Sequence, residues 1–260
     1  MLWYTFVALI SIVAVKKEKQ IEVCFTPAVF NCFSHPDAVV IVVDVLRATS
    51  AICTAFMNGA SDIIPLETIE EARDYKSRGY LVAAERDGFV LDFADFGNSP
   101  YNFTKERVAG KTIAYSTTNG TQAINMASEC YQVAIGAYLN LTAVSDWAIN
   151  QARDVIILCA GWKNRFSLED SLLAGAITEK ILEHSNFYTI CDSAIAAQDL
   201  WSVAKTDLLS YIEKAAQRNR LRKNGLDDVI DYCHTIDLTN IVPVYSDKIL
   251  IGITESVSAC

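Results

Sequence analysis

The sequence predicts an α/β protein with a parallel or mostly parallel sheet between helical layers, and three observations carry that expectation. Ala38–Val43 is an unbroken apolar, β-branched run ending at Asp44, the pattern of a strand buried on both faces of a parallel sheet. Further short apolar runs follow it, separated by helix-length segments, which is the βαβ alternation. At 260 residues the chain has room for one large α/β domain or two closely joined halves.

The elements can be taken in chain order. Met1–Val15 is apolar and uncharged, and it ends at Lys16-Lys17-Glu18-Lys19. It lacks the leading positive charge of a secretory signal and is shorter than the about 20 residues of a spanning helix. Residues 1–20 therefore read as a lead-in, as a first strand, an incidental extension or an early start, with a short membrane anchor as the alternative. Residues 21–260 read as one α/β domain, with two subdomains as the alternative. After Ala38–Val43, Ala48–Asn58 reads as a helix stopped at Gly59, and Asp62–Leu66 as a short strand. Thr68 is expected to cap a helix over Ile69–Arg78 with Glu71 as its capping-box partner. Tyr80–Ala84, Lys111–Tyr115, Tyr131–Ile135 and Val155–Leu158 are the next strands, with helices near Thr121–Ala127, Thr142–Gln151 and Leu168–His184. Ala194–Asn224 reads as helical and increasingly charged, and Val242–Tyr245 with Lys248–Ile251 as a late hairpin.

Charge and cysteine usage narrow the function. Twenty-two Lys and Arg stand against 31 Asp and Glu, a formal charge of -9, so general attraction to a polyanion is absent and nucleic acid is not an expected partner. An anionic substrate must be held by local arginines and backbone N–H groups. The eight cysteines include no C-x-x-C pair, and most read as reduced, buried thiols in a cytoplasmic protein rather than as a disulfide framework. Three histidines, none near another, argue against zinc.

Ligands of open α/β sheets bind beyond the carboxyl ends of the strands, and four strand ends here are polar. They are Asp44 with Arg47, Thr49 and Ser50; Glu85-Arg86-Asp87-Gly88; Ser116-Thr117-Thr118-Asn119-Gly120-Thr121; and Cys159-Ala160-Gly161 followed by Ser167, Glu169 and Asp170. Asp44 and Glu85 could each serve as helix caps or as salt-bridge partners of Arg47 and Arg86, and Ser116–Thr121 could be only a polar turn. Together they could close on one crevice. Thr117, Thr118, Asn119 and Gly120 would then offer hydroxyls and N–H groups as an anion cradle, which is no P-loop because no lysine follows the glycine. Oxygen donors without histidine favour Mg²⁺, with Asp44, Glu85, Glu169 and Asp170 as candidate ligands. Such a set describes phosphate-ester hydrolysis. A haloacid-dehalogenase mechanism is disfavoured because Leu46 stands where a second aspartate belongs. Cys159 and Arg165 have the C-x5-R spacing of a cysteine phosphatase, although Phe166 replaces the usual hydroxyl. An anion-binding protein without turnover is a rival of a different class.

The motifs V-D-V-L-R-A-T-S at Val43–Ser50, A-E-R-D-G at Ala84–Gly88, F-G-N-S-P at Phe96–Pro100, S-T-T-N-G-T at Ser116–Thr121 and F-S-L-E-D at Phe166–Asp170 resemble, in this order, those of the 2-phosphosulfolactate phosphatase family. Tyr232-Cys233 and Val242–Tyr245 resemble its C-terminal pattern. The resemblance implies a three-layer α/β/α architecture and Mg²⁺-dependent removal of phosphate from (R)-2-phospho-3-sulfolactate in coenzyme M biosynthesis. On this reading Asp44 and Glu85 are expected to bind metal or activate water, with Glu169 and Asp170 as alternates, and Arg47 and Arg86 to grip phosphate, sulfonate or carboxylate. The resemblance adds Asn98 and Ser99 as lesser substrate contacts. Ala84 and Ser116 depart from the family's usual Gly and Thr, and the Cys159 position is not reliably cysteine there. The expected partner is a small anionic phosphoester; no membrane contact is expected, and a homo-oligomer is left open.

Overall fold

A computed structural model describes residues 18–184 and 186–254; the Met1–Val15 lead-in lies outside them. Strand β1 (Lys19–Cys24) precedes β2 (Val39–Val43), all of whose residues are buried. Helix α1 (Ala48–Met57), strand β3 (Asp62–Pro65) and helix α2 (Ile69–Ser77) follow as expected. The Thr68 hydroxyl accepts the Glu71 N–H at 3.1 Å while the Glu71 carboxylate accepts the Thr68 N–H at 2.9 Å, so the capping box is formed. Then come β4 (Leu81–Arg86), the short β5 (Phe89–Val90), α3 (Lys105–Val108), β6 (Thr112–Ser116), α4 (Gly120–Met126) and β7 (Gln132–Gly136). Next are α5 (Leu141–Gln151), β8 (Val155–Cys159), α6 (Leu168–Leu182) and β9 (Phe187–Tyr188).

The expected long helix from Ala194 to Asn224 is instead three, α7 (Asp192–Ala204), α8 (Leu208–Ile212) and α9 (Ala216–Lys223). Asp207 is the reason for the first break: its carboxylate accepts the Ser210 N–H at 3.2 Å and starts a new helix, as a short acidic side chain does at an N-cap. Ala215 in extended conformation makes the second. After α10 (Ile230–Cys233), strands β10 (Ile241–Ser246) and β11 (Ile249–Thr254) form the predicted antiparallel hairpin.

The described strands form one sheet in the order β5-β4-β6-β3-β11-β10-β7-β2-β8-β1-β9. Strands β4, β6 and β3 are mutually parallel, as are β7, β2, β8, β1 and β9. The hairpin joins the two blocks, antiparallel to β3 on one side and to β7 on the other. Alternate residues of each strand face opposite sides. Val40, Val42, Ile113, Tyr115 and Ile135 pack with α1 and α4, whereas Val39, Ile41 and Val43 pack with α5, α6 and α7. Ala84 and Ala114 meet α2 on that second face, which completes the α/β/α layering.

Four strands separate β2 from β6, and in a flat sheet five spacings would hold them about 24 Å apart. Yet residues from β2, β3, β4, β6, β7 and β8 share one core with α1. The sheet therefore coils around α1, as accumulated strand twist allows. Gly252 of the hairpin lies against this helix, where a Cβ would fall 2.9 Å from the Phe56 ring. The coiling brings the polar ends of β2, β4 and β6 to one place.

Candidate active site

A narrow crevice opens at that place, lined by Asp44, Leu46, Arg47, Glu85, Gly88, Asn98, Asn119, Trp162, Gln217 and Leu221. Asp44 follows β2 directly. Its main-chain N–H donates to the Thr49 hydroxyl at 3.1 Å, and its Oδ1 accepts the Ala48 N–H at 3.3 Å, so the start of α1 fixes the carboxyl. Burial pushes Asp44 up to about 7, helped by the negative Glu85 and Glu169 and opposed by the Ala48 N–H and by Arg47. Gly120, the first residue of α4, presses against it: a Cβ there would fall 2.6 Å from the Ala48 Cβ and 2.9 Å from Asp44 Oδ2.

Glu85 belongs to β4, which runs two residues beyond the expected Ala84 end. It accepts the Thr118 N–H at 2.7 Å on Oε1, and the Gly88 N–H at 2.6 Å and the Thr118 hydroxyl at 3.2 Å on Oε2. Because successive strand residues face opposite sides, Arg86 points away from the crevice. Its guanidinium donates to the Ser116 hydroxyl at 3.0 Å and to the Glu85 carbonyl at 2.6 Å. The structure thus separates Arg86 from Arg47, which the sequence places in equivalent positions.

Arg47 is 4% exposed and donates one hydrogen bond, at 3.2 Å, to the Gly88 carbonyl. No carboxylate among the described residues pairs with it within 4 Å. A buried guanidinium without a paired counter-ion is costly, and an anionic ligand would relieve that cost.

The hydroxyl loop is used differently from the expected cradle. Thr117 and Thr121 satisfy each other, with reciprocal N–H to hydroxyl bonds of 3.1 Å. The Thr118 N–H is spent on Glu85, and Asn119 Oδ1 accepts the Lys163 N–H at 3.0 Å. Asn119 lines the crevice, while Thr117, Thr118 and Gly120 shape it from behind. Asn98 also lines it, with its buried Oδ1 lacking a hydrogen-bond partner. Ser99 precedes a 3-10 turn at Pro100–Asn102 and does not line the crevice.

Asp170 is a brace. Its Oδ1 accepts the Val45 N–H at 2.9 Å and its Oδ2 the Gly161 N–H at 3.0 Å, tying together the loops after β2 and β8. Burial raises it well above the usual carboxylate range, as do the charges of Glu169 and Asp44. Glu169 is likewise buried and raised by burial, with the Ser167 hydroxyl and Arg220 pulling it down. Among the described residues no three Asp, Glu, His or Cys side chains close on a point. The cysteine-nucleophile alternative does not survive: Cys159 is the fully buried last residue of β8, packed in the core with α6, and burial raises its thiol well above the usual range. Arg165 is exposed in the turn facing Trp162.

Trp162, Gln217 and Leu221 were not foreseeable as neighbours of Asp44. The Gln217 amide donates to the Leu46 carbonyl at 3.1 Å, across 171 positions. The available signal is that Gln217 and Leu221, four apart, are the buried residues of a strongly charged helix; a polar side chain on an inward face marks a contact to be satisfied.

Buried acids, one of them raised toward neutrality, and an unpaired buried arginine at strand ends of an α/β sheet define an enzyme that handles a small anion. Comparison with known proteins names the kind. A family model described as 2-phosphosulpholactate phosphatase matches residues 24–248, and the chain belongs to this family of phosphoric monoester hydrolases. It is 39% identical over 212 residues to a probable 2-phosphosulfolactate phosphatase of Thermotoga maritima, covering 81% of this chain and 90% of the relative. A protein of the same description from Caldanaerobacter subterraneus is 35% identical over 215 residues, covering 81% and 89%. Another from Clostridium novyi is 37% identical over 210 residues, covering 79% and 88%.

Proposed function

We propose that this enzyme hydrolyses (R)-2-phospho-3-sulfolactate to 3-sulfolactate and inorganic phosphate, with Mg²⁺ held by Asp44, Glu85 and Asn98. The observation that carries the reading is Arg47, a buried guanidinium with no paired carboxylate, set in one crevice with two carboxylates. Its planar fork suits two phosphoryl oxygens. The partnerless Asn98 Oδ1 and the two carboxylates supply hard oxygen donors, and Mg²⁺ is commonly bound through one or two carboxylates, retained waters and substrate phosphate. When bound, the cation supplies charge neutralisation and a more acidic water.

The protein's own groups divide the remaining work. Water attacks phosphorus, an O–P bond forms, and the bond from phosphorus to the C2 oxygen breaks. The water's proton passes to the leaving oxygen; Asp44, raised to about 7 by burial while no cation is bound, would be held ionised as a ligand of the cation and would fix it beside the attacking water. Glu85, with three hydrogen bonds from residues 88 and 118, holds its position and fixes the loop after β6. The seven described cysteines are all free, which suits a cytoplasmic setting; the place in coenzyme M biosynthesis rests on the family resemblance. Among the described residues no helix is long and apolar enough to cross a membrane.

The test is phosphate release from synthetic (R)-2-phospho-3-sulfolactate, in Mg²⁺ and in excess chelator. Release that depends on Mg²⁺ is expected, and no release under either condition would overturn the assignment.

A further inference from the structure

Beside the crevice lies a second cavity of about 270 Å³, lined in part by Asp87, Trp162, Lys163, Gln217, Arg220 and Lys223. It shares Gly88, Trp162, Gln217 and Leu221 with the crevice walls, so the two adjoin. In a chain of formal charge -9, three cations line this one cavity against the single carboxylate of Asp87, with the buried Glu169 acting on Arg220 from beyond ion-pair range.

Helix α9 sorts its basic residues by side. Arg218 pairs with Glu213 and Asp227, and Arg222 pairs with the same two acids. Arg220 and Lys223, three residues apart and so on one face, line the cavity, and neither has a carboxylate within 4 Å among the described residues. Arg220 is also held in place. Its Nε donates to Gln217 Oε1 at 2.6 Å, its guanidinium lies 4.5 Å over the Trp162 ring, and Gln217 is anchored to the Leu46 carbonyl. The terminal nitrogens have no hydrogen-bond partner among the described residues. Lys163, by contrast, is already engaged with Asp87 at 2.6 Å.

Resting on the phosphatase reading, we infer that Arg220 and Lys223 form a selectivity subsite that receives a second acid group of the substrate, sulfonate or carboxylate, while Arg47 holds the phosphoryl group. A guanidinium fixed by stacking and by one hydrogen bond loses little freedom on binding, so it discriminates at low entropic cost.

The experiment measures kcat/KM for 2-phospho-3-sulfolactate, for 2-phospholactate and for ethyl phosphate, which lacks a second acid. For the wild type the ratio of either acid-bearing ester to ethyl phosphate should be large. In Arg220→Gln the ratio should fall at least tenfold, chiefly through KM, with partial recovery in Arg220→Lys. A fall confined to phosphosulfolactate assigns the subsite to sulfonate, and a fall for both esters assigns it to carboxylate. Because Arg220 packs on Trp162, the exposed Lys223→Gln provides a second variant whose ratio should also fall. Ratios unchanged in both glutamine variants would overturn the proposal. If the wild type hydrolyses none of the esters, the phosphatase reading has failed, and calorimetric binding of 3-sulfolactate decides. Binding at least tenfold weaker in Arg220→Gln supports the subsite; equal binding, or none by the wild type, overturns it.

Discussion

Gly120 touches Asp44 so closely that a single methyl group at its α-carbon would fall 2.9 Å from the carboxyl oxygen. This contact is where the loop after β6 meets the loop after β2. It is tighter than real Cβ contacts allow, and the Ala48 methyl, at 2.6 Å, closes the other way out. Gly120→Ala must therefore displace α4 or Asp44. Overpacking of this kind costs about 1–3 kcal/mol of stability, and a shift of about 1 Å at a reacting group can cost on the order of 100-fold in rate. A fall of that order in kcat, with a modest fall in Tm, is expected. Unchanged kcat would show that the reaction tolerates displacement of Asp44 and that this carboxylate does not position the reacting groups.

Arg47 and Arg86 should respond differently to the same change. Arg47→Lys removes the two-pronged contact to phosphate, and a loss of roughly 10-fold or more in kcat/KM is expected, with Tm nearly unchanged. Arg86→Lys breaks a bond to the Ser116 hydroxyl behind the site, and its kcat/KM should fall by less than Arg47→Lys. Wild-type kinetics in Arg47→Lys, with melting several degrees lower, would make that arginine structural.

Stability should depend on pH through Asp44. Its pKa rises from 3.8 to about 7 on folding, so between those values the folded state holds a proton that the unfolded state has released. Stability is then full below about pH 4 as far as this group is concerned, and is lost as pH rises toward 7. Asp170 and Glu169, both raised by burial, act in the same direction. In metal-free protein Tm should decline from pH 5 to pH 7, and Asp44→Asn should flatten part of that decline. An equal slope in the variant would place the titration elsewhere.

Chelation should abolish turnover and added Mg²⁺ should restore it. Full activity in excess chelator would remove the metal from the mechanism and leave Asp44 and Arg47 as the working groups.

Much of this was legible in the sequence. The β-branched run of Ala38–Val43 and the Thr68–Glu71 capping box are local patterns, and local patterns were kept. The rule that ligands gather at strand ends identified Asp44 and Glu85 and placed both at the crevice. Arg86 was misplaced for a local reason: strand β4 continues two residues past Ala84, and the alternation of a strand sends Glu85 inward and Arg86 outward. Strand β1 went unread because Lys19, Gln20 and Glu22 interrupt its apolar residues. The hairpin's position in mid-sheet, the bracing by Asp170 and the arrival of Gln217 beside Leu46 are long-range outcomes of packing. They depend on which surfaces meet, and no short window of sequence records that.

The hairpin of residues 241–254 also orders events in time. Every crevice-lining residue precedes it in the chain, so during synthesis each parallel block can gather its own strands before the hairpin emerges. Asp44 then belongs to one block and Glu85 to the other, with nothing in the sheet yet joining them. The ladder becomes continuous only when β10 pairs with β7 and β11 with β3. Catalytic competence should therefore be among the last properties the nascent chain acquires, and among the first lost when the hairpin detaches.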